Sequence, residues 1–458
     1  MRDISALVAP RSIAVIGASS NPTKSGGVLF ANLAGGGFKG PLYPINRSAT
    51  EIMSHRAYPA LGDVPETVDL VYIVLPQAHV ADAIRQCVAA KARAACIITA
   101  GFSEASEKGR SDEDTLRAIA QPSGLLLAGP NTIGMVNVDC GMMGSFVNFP
   151  RWEKGGVSFF TQTGIFTGAV MLHVMSADTQ RLPVSKSIDV GNKIGVDEVD
   201  FLEYIENDSA TKAVGLYIES VRDPRHFLET ARRVRAKKPI VLLKPGQTPE
   251  GARASTSHTG SVAADDRALD EGLRACGIAR AEDESDFLNA LRAIVMLPKP
   301  KGKRVGIATT SGALGVISTD LVVRSGLALA AFEPATVAAM RTILPDWLEP
   351  ANPFDFWIGI DVKGAKEAHE TGLTAIFSDP NVDLVLCTLL APANADFEGF
   401  GELMKRLRKT HNKPVAVTIY GGAARARWVA GLEGADVPVF NTTREAARAL
   451  SLLVQATL

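Results

Sequence analysis

Three times along this chain a short apolar run breaks into a turn of glycine and hydroxyl residues and then into a helical pattern. The first is Ile13-Ala14-Val15-Ile16 before Gly17-Ala18-Ser19-Ser20. The second is Val157-Ser158-Phe159-Phe160 before Thr161-Gln162-Thr163-Gly164. The third is Val305-Gly306-Ile307-Ala308 before Thr309-Thr310-Ser311-Gly312. Each reads as a strand that feeds a helix through a tight loop, and the near-continuous apolar content of the strands says that both faces are covered. Further apolar runs fall at Leu42–Ile45, Val68–Leu75, Ala94–Thr99, Leu125–Ala128, Leu384–Leu389 and Val415–Ile419. The pattern predicts an α/β chain of three doubly wound parallel-sheet domains, over residues 1–145, 146–299 and 300–458. A Pro/Gly-bearing break near Phe149-Pro150-Arg151-Trp152 and the basic linker Leu297-Pro298-Lys299-Pro300-Lys301 separate them.

A chain of 458 residues has room for three such cores. Its formal net charge of -1 supplies no basic field for nucleic acid or an anionic membrane surface. No apolar run approaches bilayer length, and the N-terminus lacks a signal-peptide pattern, so a cytoplasmic setting is expected. The five cysteines are scattered; Cys96 and Cys387 fall inside strand-like runs and read as small buried hydrophobes. No Cys/His spacing suggests a metal site. The chemistry must come from histidine, carboxylates, hydroxyls and backbone.

In folds of this kind ligands bind at the C-terminal ends of the strands, and a helix N-terminus favours anions. The first loop lacks the full dinucleotide glycine pattern. The second strand ends Tyr43-Pro44-Ile45-Asn46-Arg47, with no carboxylate for a ribose diol. Arg47 suits a phosphorylated ribose, which leaves NADP and coenzyme A open. Further along, Ile240-Val241-Leu242-Leu243 runs into Lys244-Pro245-Gly246 and then Ser255-Thr256-Ser257-His258-Thr259-Gly260-Ser261. This reads as a strand, a long flexible loop and a helix from about Val262, with His258 placed to meet a ligand. Glu219 ends another strand, where a carboxylate could hold one imidazole N–H and leave the other nitrogen as nucleophile.

The ordered set Gly17-Ala18-Ser19, Tyr43-Pro44-Ile45-Asn46, Ala100-Gly101-Phe102-Ser103, Gly129-Pro130-Asn131, Gln162-Thr163-Gly164, Ile188-Asp189-Val190-Gly191-Asn192, Tyr217-Ile218-Glu219 and Ser257-His258-Thr259-Gly260-Ser261 resembles the NDP-forming acyl-CoA synthetases, relatives of succinyl-CoA synthetase, in the order of an alpha subunit. The resemblance implies a Rossmann-like CoA-binding domain followed by two flavodoxin-like succinyl-CoA-ligase domains. It implies that His258 is phosphorylated during turnover and that Glu219 orients it. Coenzyme A would meet Gly17, Ala18, Ser19, Ser20, Ser25, Asn46, Arg47, Pro76, Ala100 and Asn131. Two helix starts, Thr163-Gly164-Ile165 and Ser311-Gly312-Ala313, would hold phosphate. ADP or ATP with Mg²⁺ would bind a separate ATP-grasp beta subunit in an alpha2-beta2 heterotetramer, since no Walker A stretch or ATP-grasp length is found here. A small organic acid and phosphate complete the substrates; Phe166, Phe356 and Trp357 are apolar candidates for the acyl pocket. The alternatives are a non-catalytic CoA-binding protein and an NADP-dependent oxidoreductase; no Tyr-x-x-x-Lys appears for the latter.

Overall fold

A computed structural model describes residues 2–148, 152–170, 172, 181–259, 266–391 and 399–458, with backbone alone at 255–259 and 266–268. The chain forms two compact units: Met1–Ser176 with Pro183–Cys276, and Ala177–Leu182 with Gly277–Leu458. The first unit carries two sheets and the second carries the third.

The first sheet contains β1 (Ile13–Ile16), β2 (Leu42–Ile45), β3 (Leu70–Ile73), β4 (Ala94–Ile97) and β5 (Leu126–Ala128), all parallel, in the order β2-β1-β3-β4-β5. Every residue of β1, β3 and β4 is buried, as strands covered by helices on both faces should be. Within the first unit the second, seven-stranded sheet contains six strands, β6 (Gly134–Asn137), β7 (Met142–Ser145), β8 (Lys154–Thr161), β9 (Val184–Asp189), β10 (Ala213–Tyr217) and β11 (Ile240–Leu243), ordered β11-β10-β8-β9-β6-β7. β8 to β11 are parallel; β6 and β7 form an antiparallel edge. That edge corrects the expected boundary at 145: residues 134–145 pair with the second sheet. In the second unit β12 (Arg304–Thr309), β13 (Ala328–Leu329), β14 (Phe354–Asp355), β15 (Leu384–Leu390), β16 (Val415–Tyr420) and β17 (Val439–Phe440) are parallel, ordered β13-β12-β15-β16-β17, with β14 also on β12.

In each sheet the parallel strands start in the middle, run one way and return past the first of them. The order reverses between β1 and β3, between β8 and β10, and between β12 and β15. Such a reversal opens a crevice at the strands' C-terminal ends. Cys87, Cys96, Cys276 and Cys387 are buried, and desolvation pushes the first up to about 12. Among the described residues no helix is long and apolar enough to cross a membrane.

The stretch around His258 departs from expectation. A helix, Pro249–Thr259, occupies most of what the sequence reads as loop, and His258 lies in its last turn. Pro249 at the first position and Glu250 in the first turn favour that helix. The Ser and Thr residues that suggest a loop sit at its C-terminal end, where weak helix formers cost little. Gly260, Ser261 and Val262 lie outside the described residues, as do the His258 side chain and Phe149 to Arg151.

Candidate active site

At the first reversal the turn after β1 fits against its surroundings without room for a side chain. Gly17 has φ +92°, and a Cβ there would fall 2.1 Å from the Val74 carbonyl oxygen; one at Gly26 would fall 2.1 Å from the Gly17 oxygen. The glycines let the turn close onto the start of the helix Ser25–Gly35. Ala18 is buried, Ser19 is half-buried, and Ser20 and Ser25 are exposed. The Ser19 hydroxyl accepts from Asn21 N at 3.1 Å.

The Asn46 side chain ties two turns together. Its Nδ2 donates to the Ala18 carbonyl at 2.9 Å, and its Oδ1 accepts from the N–H groups of Ser48 and Ala49, each at 3.0 Å. It braces the turn after β1 against the turn after β2. Arg47 is exposed and borders a cavity of about 760 Å³ with Pro59, Leu61, Glu66 and Gln86. Pro76 and Ala100 are exposed on the same edge; nearby, Thr99 donates to the Leu75 carbonyl at 2.6 Å. Asn131, at φ +60°, closes the edge by donating its N–H to Thr99 O at 2.9 Å.

A polar knot ties this edge to the second sheet. Asn192 Nδ2 lies 2.6 Å from Glu104 Oε2 and 2.7 Å from Glu113 Oε1, while Asn131 Nδ2 donates to Asn192 Oδ1 at 3.3 Å. Burial would raise the Glu104 carboxyl, but the donors from Asn192, Gly101 and Phe102 outweigh it and hold the pKa low. Gly191 makes this approach possible: a Cβ there would fall 2.2 Å from the Pro130 oxygen.

At the second reversal two turns meet. β8 ends at Thr161, whose hydroxyl is buried 3.3 Å from that of Thr167, itself 2.8 Å from Ser187. Thr163 and Gly164 are half-exposed and Ile165 is 55% exposed, at the start of a helical segment that includes the π-turn Phe166–Val170. Across the crevice Glu219 is only 4% exposed. Gln162 Oε1 accepts from the N–H groups of Glu219, at 2.8 Å, and Ser220, at 3.0 Å. Tyr217 OH donates to Glu219 Oε1 at 3.3 Å; burial and that carboxylate raise the phenol pKa well above its usual value. On the far side Lys193, 2% exposed, donates to the Ser220 carbonyl at 2.6 Å and to Glu198 at 2.7 Å. Desolvation lowers its pKa. Asp189 is sealed under Thr132 Oγ1 and Ile133 N, both at 2.8 Å, and desolvation pushes its pKa up to about 6.

The third reversal, in the second unit, repeats the plan. Ser311 caps the helix Gly312–Arg324, whose first residues Gly312 and Ala313 are exposed. The Asn352 side chain is structural, bonding Ile307 N at 3.0 Å and the carbonyls of Val305 and Ala330. Asp355 faces the helix start: a Cβ on Gly312 would sit 3.4 Å from its Oδ2. Of the apolar candidates, Phe166 stacks on Tyr217 and Phe356 is fully buried in the core, while Trp357 is 39% exposed.

The ten expected CoA residues thus gather on one sheet edge, and Thr163 to Ile165 share a second edge with Glu219. His258 is placed by its backbone alone. Sequence reasoning gave no role to Gln162, Lys193 or Thr310. A signal existed for two of them: in both later turns a polar side chain stands directly between the last strand threonine and the hydroxyl-glycine pair.

Residues 11–138 match the CoA binding domain family, and residues 154–294 match the succinyl-CoA ligase like flavodoxin domain family. Those two modules in this order define the acid–thiol ligases that handle coenzyme A. The chain is 34% identical over 421 residues to "Acetate--CoA ligase [ADP-forming] II" of Archaeoglobus fulgidus, covering 92% of this chain and 62% of that protein. It is 33% identical over 453 residues to "Acetate--CoA ligase [ADP-forming] II subunit alpha" of Pyrococcus furiosus, covering 97% of this chain and 96% of that subunit. Its fold matches the acetyl-coenzyme A synthetase 1 of Ca. Korarchaeum cryptofilum, solved with phosphate and ADP, at TM-score 0.91 and 30% identity over 100% of this chain and 97% of that one. The chain belongs to the family of ADP-forming acetate–CoA ligases, and along its whole length it corresponds to their alpha subunit.

Proposed function

We propose that the chain is the CoA-binding and phosphohistidine-carrying subunit of an ADP-forming acyl-CoA synthetase. Phosphate oxygen attacks the thioester carbonyl of acyl-CoA, giving an acyl phosphate and the CoA thiol. The neutral imidazole of His258 then takes the phosphoryl group, and the carboxylic acid leaves. Phospho-His258 passes the group to ADP, giving ATP and restoring the histidine. CoA lies along the first sheet edge, with Arg47 toward its ribose phosphate. Phosphate rests on the helix starts at Thr163-Gly164-Ile165 and Ser311-Gly312-Ala313, where first-turn N–H groups and the helix dipole offset its charge. Glu219 holds one imidazole N–H, fixing the tautomer and balancing the charge of the phosphorylated ring. ADP and Mg²⁺ belong to an ATP-grasp beta subunit, in an alpha2-beta2 assembly.

The observation that carries this reading is the junction at the second reversal. One side chain, Gln162, joins the turn bearing Thr163 and Gly164 to the strand end bearing Glu219, so an anion site and a buried carboxylate share one rigid edge. The test is labelling with acetyl-CoA and radioactive phosphate. The expected product is an acid-labile, base-stable label that vanishes in His258→Ala. A label that persists in His258→Ala, or no label with the intact chain and its beta subunit, overturns the assignment.

A further inference from the structure

The Glu219 strand end is gripped from two sides. Gln162 accepts from two successive backbone N–H groups, those of Glu219 and Ser220, and its Nε2 reaches Ser220 Oγ at 3.4 Å. From the opposite loop the Lys193 ammonium donates to the Ser220 carbonyl, while Glu198 balances its charge at 2.7 Å and Arg222 donates to the Lys193 carbonyl. Gln162 and Lys193 are both buried. Three backbone groups of a two-residue segment are therefore fixed by side chains from two other loops. Ordinary strand-end turns make such bonds with their own backbone. A buried ion pair is an expensive way to hold one carbonyl, and its best-supported use is to specify geometry.

We infer that Gln162 and Lys193 are positioning residues that set the Glu219 carboxylate, and that Gln162 couples its placement to the phosphate turn one residue away. This rests on the role proposed for Glu219. Neither residue touches the reacting atoms. Gln162 acts because its Cα belongs to the phosphate turn while its amide oxygen holds the glutamate; a shift of one is transmitted to the other. Lys193 sets the same segment from the Gly191-Asn192 side, which also contacts the CoA-domain knot.

The test compares Gln162→Leu with Gln162→Glu in the complete enzyme, alpha chain with its beta subunit. Leu keeps the bulk and removes the acceptor. Glu keeps an oxygen for both N–H groups and adds charge beside the phosphate turn. For Gln162→Leu, phosphohistidine formation is expected to slow about tenfold or more with KM for CoA unchanged, the scale of two lost buried hydrogen bonds. Gln162→Glu should recover most of the rate and raise KM for phosphate. Amide exchange at Glu219 and Ser220 should quicken in Gln162→Leu and stay slow in Gln162→Glu. Lys193→Met should slow labelling in the same direction. The inference is overturned by wild-type labelling in Gln162→Leu, by a Gln162→Glu enzyme no faster than Gln162→Leu, or by unchanged amide exchange. Failure of the wild-type enzyme to label sinks the proposed function instead, and the exchange measurement still judges the clamp.

Discussion

The turns after β8 and β12 are two versions of one frame. Thr161 stands opposite Asp189 and Tyr217 in the ladder, and Thr309 stands opposite Asp355 and Thr388. The next side chain then reaches across to a backbone N–H two residues beyond the paired strand position: Gln162 to Glu219 at 2.8 Å, Thr310 to Leu390 at 2.9 Å. A hydroxyl residue, a glycine and a helix start follow in both. The contents differ. The first frame places a buried carboxylate, Glu219, where the second places Leu390. The first seals Asp189 under three donors, while the second leaves Asp355 half-buried at the helix start, with the Trp357 N–H at 3.1 Å. Both frames can offer N–H groups to an anion. The first adds a buried carboxylate at its strand end, which under the proposed function makes the two unequal partners in phosphoryl transfer.

The sharpest way to break that comparison is to remove the carboxylate. Glu219→Gln keeps the size and loses the charge, and phosphohistidine formation is expected to fall about 100-fold, within the range for losing a proton-handling group. Leu390→Ala should leave the labelling rate unchanged. Equal losses in the two variants would make the halves equivalent and remove Glu219 from its proposed role.

The glycines give the next largest contrast. A Cβ on Gly164 would fall 2.5 Å from Ile133 Cγ2, whereas one on Gly312 would meet nothing closer than Asp355 Oδ2 at 3.4 Å. Gly164→Ala should therefore cost about 1–3 kcal/mol of stability by overpacking, and Gly312→Ala about nothing. Urea unfolding midpoints check this, and equal midpoints for both variants contradict it.

Burial raises the carboxyl pKa in both frames, that of half-buried Asp355 and that of fully buried Asp189. Folding raises the Asp189 carboxyl from its ordinary 3.8 to about 6, because burial disfavours the charge. The folded chain therefore holds that proton more tightly than the unfolded chain. The stability it contributes is full below about pH 4 and is lost as pH rises through about 6. At about 1.4 kcal/mol per unit, a shift near two units amounts to about 3 kcal/mol. Asp189→Asn should lose correspondingly less stability between pH 4 and pH 7 than the wild type. Parallel stability curves for the two proteins would disprove this.

Much of this was legible in the sequence, and particular residues say why. The βα repeats fixed the three sheets because continuous apolar strands and small-residue turns are local signals. The places of Glu219 just past a strand and of Thr163 and Ser311 at helix starts were legible because apolar runs and small-residue turns mark those boundaries locally. The antiparallel edge of β6 and β7 was missed, since Gly134–Asn137 and Met142–Ser145 are short and gain their strand character from pairing, β6 with β9 and β7 with β6. The helix Pro249–Thr259 was missed because its hydroxyl residues favour loops locally, while the Pro249 start that favours helix lies several residues earlier. The bracing of Ala18 by Asn46 was not legible because that contact spans 28 residues of sequence. Lys193 carried no signal: Glu198 is a near neighbour in sequence, but its other partner, the Ser220 carbonyl, is brought to it only by the fold.

The smallest predicted effect tests whether the shared frame is structural in both halves. Thr310 is buried, and its hydroxyl takes the Leu390 N–H. Thr310→Val is close in shape and removes the acceptor, which leaves a buried N–H without its bond and should cost about 1–3 kcal/mol. The loss should appear in the urea midpoint and as faster amide exchange at Leu390. Phosphohistidine formation at saturating substrates should keep its wild-type rate, because among the described residues that strand end, Leu389 to Ala391, carries no proton-handling group. Gln162→Leu makes the same kind of cut in the other half and is expected to slow the chemistry. A Thr310→Val enzyme slowed as much as Gln162→Leu would mean that the second turn steers phosphoryl transfer as closely as the first, and the asymmetry drawn between Glu219 and Leu390 would fall.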